Sequence, residues 1–193
     1  MSNRLLKPML ENNRSNKKLQ EVIRLWSRKD LMGAAEIIEE ILLEGSPKVR
    51  AEALLFYGMV NQDQGLSEDA RALWVDGLAQ AGEGTFLTYL LQYNIGSSYQ
   101  REGKFKNSLS WYRAAIQTCV SGDEFSCDQT LTSLLSLFEG EIPAKEKPQV
   151  TKAVEKSWNV LELPGSPDLT DLSLSIRMLN EGFSKLLADT IEG

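Results

Sequence analysis

The stretch YNIGSSYQREGKFKNSLSWYRAA, residues 93–115, decides the fold. It reads as two amphipathic helices separated by Gly103, yet three consecutive small residues, beginning with Gly96, interrupt the first helix. A glycine inside a helix costs about 1 kcal/mol relative to alanine, so Gly96 indicates the close approach of a second helix. We predict an antiparallel hairpin in which Gly96 and Ser108 lie at the helix crossing and Gly103 forms the turn.

The same order of landmark residues occurs earlier in the chain, offset by 38 residues. In each copy a small mid-helix residue is followed by a turn glycine, a second small residue, a large aromatic residue and a third small residue. The two sets are Gly58, Gly65, Ala70, Trp74 and Gly77, and then Gly96, Gly103, Ser108, Tyr112 and Ala115. Self-similarity at a fixed offset is typical of repeat proteins. We expect Trp74 to be a core residue, and Phe105 to pack back at the start of the second helix of its hairpin.

These landmarks resemble those of the tetratricopeptide repeat (TPR) family, whose unit is a helix-turn-helix of about 34 residues. The resemblance implies an all-α fold, a right-handed TPR-like α-solenoid of about eight or nine antiparallel helices with a C-terminal capping helix that covers the last apolar edge. The expected organisation is a basic N-terminal tail at 1–14 and one TPR-like domain at 15–193. Within that domain we expect good repeats at about 51–81 and 89–120, a weaker repeat at about 15–46, a divergent hairpin at about 124–162 and the capping helix at about 167–190.

The charge is unevenly distributed along the chain. Residues 1–29 contain eight Lys and Arg against two Asp and Glu, whereas residues 30–193 contain thirteen against twenty-five. The basic residues are spread out and lack interleaved aromatic residues, so no nucleic-acid partner is expected. No apolar run is long enough for a membrane span, and no secretory signal follows the N-terminus, so we expect a cytoplasmic protein without membrane insertion.

The residue types needed for most catalytic and metal sites are missing. The chain contains no histidine, which excludes Ser-His and Cys-His catalysis and imidazole metal ligands. Cys119 and Cys127 match neither a redox nor a zinc spacing and are expected to be buried and reduced. No phosphate loop or dinucleotide fingerprint occurs, and the carboxylate clusters lack the spacing of a calcium loop. The sequence therefore predicts no catalytic residue, no metal, no cofactor and no enzymatic activity.

The TPR resemblance implies a concave groove that binds an extended peptide or a helix of a partner protein. The residues expected to contact that partner are Leu55, Met59, Gln62, Asp63, Tyr93, Asn94, Ser97 and Arg101. Tyr93 would supply apolar area and Arg101 would pair with an acidic or carbonyl group, while Tyr99 is assigned to packing.

Two kinds of function agree with such a groove. The first is a non-catalytic adaptor or chaperone. The alternative is an immunity protein or inhibitor that neutralises a cognate toxin or enzyme by tight 1:1 binding, which the acidic body would favour if the toxin is basic. The sequence leaves the oligomeric state open.

Overall fold

The computed structural model describes residues 17–122 and 125–191, with side chains up to Ser184. Within these residues it contains nine helices, no strands and a helical content of 75%. The predicted all-α class is confirmed. The basic tail predicted at 1–14 lies outside the described residues, and no described helix combines the length and apolar character that a membrane span requires.

The chain divides into two compact units, Met1–Gly82 and Glu83–Gly193. The first unit contains α1 (Lys17–Ser27), α2 (Leu31–Glu44), α3 (Pro47–Asp63) and α4 (Ser67–Leu78). The second contains α5 (Phe86–Arg101), α6 (Phe105–Ser121), α7 (Asp128–Leu137), α8 (Lys147–Val160) and α9 (Leu172–Ile191).

Each unit contains a helix pair that crosses closely at a glycine. In the first unit, a Cβ atom added to Gly58 of α3 would lie 2.2 Å from Nε1 of Trp74 on α4. In the second unit, a Cβ atom on Gly96 of α5 would lie 2.7 Å from the ring of Tyr112 on α6 and 3.4 Å from the carbonyl oxygen of Ser108. Trp74 and Tyr112 are both fully buried. The predicted close approach at Gly96 and the core position of Trp74 are confirmed.

The turns of these two hairpins also share their geometry. Gly65 and Gly103 have φ values of +82° and +70°, which glycine adopts at little cost because it has no Cβ atom. The prediction for Phe105 is wrong, because its side chain is 58% exposed. Phe105 is the first residue of α6, and a helical side chain leans toward the preceding turn, which is absent at that position.

In the second unit the C-terminal helix α9 packs against α7 and α8. Its apolar stripe, Leu172, Ile176 and Leu179, is buried. The helix begins at Leu172 because the Asp171 carboxylate caps it and accepts a hydrogen bond of 2.9 Å from the backbone N–H of Leu174. The Asp168 carboxylate holds the preceding segment in a turn, because it accepts from the backbone N–H groups of Thr170 and Asp171.

Candidate functional site

The predicted contact residues in the middle of α3 belong to the core. The side chains of Leu55 and Met59 are 1% and 4% exposed. The Leu55 carbonyl oxygen accepts a hydrogen bond of 3.0 Å from Nε1 of Trp74. These two side chains therefore offer almost no accessible area to a partner in this structure.

The two predicted residues at the end of α3 make contacts within the first unit. Nε2 of Gln62 donates to the Ser67 hydroxyl at 2.9 Å, which connects α3 to the start of α4. The Asp63 carboxylate accepts from Nε1 of Trp26 at 3.1 Å and from Nζ of Lys29 at 3.0 Å. Asp63 remains exposed, and its charge is already paired with a cation from the segment after α1.

The predicted residues on α5 divide into buried, half-buried and exposed positions. Asn94 is buried, and its Nδ2 donates to the Leu90 carbonyl oxygen at 2.7 Å, one turn earlier in the same helix. Tyr93 and Ser97 are half-buried, and Arg101 is exposed. Of the four, only Arg101 presents a largely accessible side chain.

Tyr93 lies within a series of aromatic rings. Its ring centroid is 6.4 Å from that of Tyr89 and 6.0 Å from that of Tyr112, in stacked orientations. Phe86 continues the series beside Tyr89 at 5.9 Å, and Phe125 contacts both Phe86 and Tyr89 at 5.3 and 5.1 Å. Aromatic pairs at these separations stabilise a core beyond their buried area. The face of α5 that was expected to contact a partner is therefore partly used for packing inside the second unit.

The hydroxyl ends of these rings form a polar group that we call the tyrosine–serine cluster, consisting of Tyr93, Tyr112, Ser97, Gln100 and Ser133. The Tyr112 hydroxyl donates to Oε1 of Gln100 at 2.6 Å. The Ser133 hydroxyl of α7 lies near both phenols, and the Ser97 hydroxyl lies near that of Tyr112. Burial raises the pKa of both phenols, and the Ser133 hydroxyl opposes this shift. Both tyrosines therefore stay protonated at neutral pH.

Arg101 lies at the edge of this cluster, in the last turn of α5. Its positive charge opposes the effect of burial on the pKa of Tyr93, which lies two helical turns earlier on the same side of α5. Among the residues that the structure describes, no carboxylate forms an ion pair with Arg101. An exposed cation beside a half-buried aromatic ring can bind an acidic or carbonyl group of a partner.

The sequence did not identify Ser133 or Gln100 as part of this site. A usable signal was present in α7, where Thr130 and Ser133 alternate with a leucine stripe and therefore mark a polar side of the helix. Thr130 also lies on this side, and its hydroxyl donates to the Tyr89 hydroxyl at 3.2 Å.

The second unit also contains the two cysteines, which are free and buried as expected. Burial raises the pKa of the Cys127 thiol well above its ordinary value, and its sulfur lies 3.4 Å from the Ser157 hydroxyl oxygen. A buried thiol of raised pKa is a poor nucleophile. In the described part of the chain, no group of three or more His, Cys, Asp and Glu side chains is placed to hold a metal ion.

Neither models of known protein families nor curated proteins gave a match to this chain. The TPR resemblance thus depends on the landmark residues, and the function has to be inferred from the geometry.

Proposed function

We propose that the protein is a non-catalytic protein–protein interaction module, an adaptor or chaperone, built from TPR-like hairpins in a right-handed solenoid. The support for the hairpins is that both units contain the same construction. In each unit a mid-helix glycine, Gly58 or Gly96, lies against a buried aromatic residue sixteen positions later, and a glycine of positive φ forms the turn between them. A repeat protein is built from copies of one structural unit, and the same hairpin construction occurs in both units of this chain.

The observation that carries the binding proposal is the exposed guanidinium of Arg101, which forms no ion pair with the described carboxylates and lies on the same side of α5 as Tyr93. An aspartate or glutamate of a partner segment would pair with Arg101, and an apolar side chain of the same segment would contact the accessible edge of the Tyr93 ring. In this proposal the buried residues of the predicted set, such as Leu55 and Asn94, hold α3 and α5 in position. The proposed binding surface therefore includes fewer residues than the eight that the sequence predicted.

The proposal can be tested with peptides, because the natural partner is unidentified. Selection of phage-displayed random dodecapeptides on the immobilised protein should enrich sequences that combine an acidic and an apolar residue. Fluorescence anisotropy would then compare binding of a selected peptide to the wild type and to Arg101→Ala, with Arg177→Ala on α9 as the control for loss of an exposed arginine. We expect Arg101→Ala to weaken binding about tenfold or more at an unchanged melting temperature.

Two results would contradict the proposal. One is that no acidic motif is enriched, and the other is that Arg101→Ala and Arg177→Ala bind the selected peptide equally well.

A second function, an immunity protein or inhibitor, is favoured by the acidic balance of residues 30–193, thirteen basic against twenty-five acidic residues. A basic toxin would be attracted by this field, and its association rate would fall steeply with ionic strength. Stopped-flow association measured at low and high salt with a purified partner distinguishes the two functions. A tight 1:1 complex with a strongly salt-dependent rate indicates the inhibitor, whereas weaker binding to several peptides indicates the adaptor.

A further inference from the structure

The outward side of α2, in the first unit, carries two strongly exposed apolar side chains. Met32 is 76% exposed and Leu43 is 85% exposed, the highest values among the large apolar residues that the structure describes. They are eleven residues apart, which is about three helical turns, so both point to the same side of α2 and lie about 16 Å apart. The opposite side of the helix is buried through Ala34, Ile38 and Ile41.

Carboxylates lie between these two apolar residues. Glu36 and Glu39 continue the same side of α2, at the helical spacing i, i+4, i+7 and i+11 counted from Met32. The Glu39 carboxylate accepts a hydrogen bond from the Tyr57 hydroxyl at 3.2 Å, and no described residue forms an ion pair with Glu36. The α2 segment contains four glutamates and no lysine or arginine, and two of the glutamates, Glu40 and Glu44, pair with Lys18 of α1. We call Met32, Glu36, Glu39 and Leu43 the α2 face.

We propose that the α2 face is a docking surface for a basic amphipathic helix of a partner protein. Two apolar residues of that helix, spaced about three turns apart, would cover Met32 and Leu43, and lysines or arginines between and beside them would pair with the glutamates. The face lies in the first unit and contains none of the residues of the tyrosine–serine cluster. It therefore gives the protein a second interaction surface beyond the one proposed at Arg101.

The charge of the α2 face argues against other occupants. A symmetric dimer through this face would place the same patch against itself, and so would bring the glutamates of one copy against those of the other. An anionic membrane surface would be repelled for the same reason. A basic helix is the occupant that satisfies both the apolar and the acidic side chains.

The test uses the full chain and a synthetic, fluorescently labelled peptide of leucine and lysine with an amphipathic helical pattern. A scrambled peptide of the same composition and a peptide with glutamate in place of lysine serve as ligand controls. Anisotropy titrations would compare the wild type with Met32→Ser, Leu43→Ser and Glu36→Gln, and with Phe105→Ser as the matched loss of an exposed apolar side chain in the other unit. Because the substituted side chains are exposed, the variants should melt close to the wild type.

We expect the amphipathic basic peptide to bind at least about tenfold more tightly than the scrambled one. Met32→Ser and Leu43→Ser should each weaken binding about tenfold, Glu36→Gln should reduce its salt dependence, and Phe105→Ser and Arg101→Ala should leave it unchanged. Because Arg101→Ala should not affect binding of this peptide, the test of the α2 face is independent of whether Arg101 binds a partner.

Several results would overturn the proposal. These are equal affinity for the scrambled peptide, no binding at all, and unchanged binding by the Met32→Ser Leu43→Ser double variant. A wild type that sediments as a dimer, together with a monomeric Leu43→Ser, would show that a second copy occupies the face. If a Leu5→Ser Leu6→Ser variant bound the peptide more tightly than the wild type, the chain's own N-terminal segment, and not a partner protein, would be the occupant of the α2 face.

Discussion

Replacement of Gly58 by alanine should destabilise the first unit, although alanine is the better helix former. The new methyl carbon would lie 2.2 Å from Nε1 and 2.5 Å from Cε2 of Trp74, far inside van der Waals contact. The indole is 1% exposed and donates to the Leu55 carbonyl oxygen at 3.0 Å. Its rigid ring cannot move away without losing packing and straining that hydrogen bond.

The expected change in the free energy of unfolding has one favourable and two unfavourable contributions. Helix propensity favours alanine over glycine by about 1 kcal/mol. Overpacking of a well-filled core costs about 1 to 3 kcal/mol, and loss of a buried hydrogen bond costs about 1 to 3 kcal/mol. The net change is a destabilisation of about 3 kcal/mol at the centre of this range, so the steric effect exceeds the propensity gain.

Urea denaturation followed by far-UV circular dichroism measures this cost. Gly103→Ala is the control for backbone strain alone, because Gly103 has a φ of +70° and no atom of the described residues lies within 4 Å of an added Cβ. We expect it to cost about 1 kcal/mol. In a Trp74→Phe background the cost of Gly58→Ala should fall, since the smaller ring leaves room for the methyl group. A Gly58→Ala variant as stable as the wild type, or a cost unchanged by Trp74→Phe, would refute the reasoning.

The sequence was informative where one residue type has one physical explanation. A mid-helix glycine is unfavourable unless another helix needs the space, so Gly96 predicted the crossing that Tyr112 makes. A glycine between two amphipathic segments predicted the positive φ at Gly103. The helical hairpin, found twice at a fixed offset, was sufficient for the all-α class.

The sequence was less informative about which helix faces are covered. Tyr93, Ser97 and Arg101 form one stripe on α5, and their spacing alone does not tell whether another helix packs on it. The structure brings Ser133, forty residues after Tyr93, to the first part of this stripe and leaves Arg101 exposed. A periodicity describes one helix at a time, whereas burial depends on contacts between segments distant in sequence.

Three further predictions concern the second unit. Tyr93→Ala should destabilise it by about 2 kcal/mol because the ring stack is interrupted, and Tyr93→Phe should lose much less; urea denaturation distinguishes the two. The Arg113 guanidinium, hydrogen-bonded to Glu146, lowers the pKa of that carboxyl, so the stabilisation is present above its unfolded pKa and is lost as pH falls through the folded pKa. The difference in melting temperature between wild type and Arg113→Ala should therefore shrink when the pH is lowered from about 7 to about 3. Burial has the opposite effect on Asp128, which is 1% exposed and whose Oδ2 has no hydrogen-bond partner among the described residues. Its folded pKa is raised, so the folded state binds the proton more tightly and stability falls as pH rises from the unfolded to the folded pKa. Asp128→Asn keeps an oxygen that can accept the hydrogen bond from the Ser126 hydroxyl and removes the buried charge. Its melting temperature should therefore rise relative to the wild type as pH increases from about 4 to about 7. If the two melting temperatures change in parallel across this range, burial does not raise the pKa of the Asp128 carboxyl.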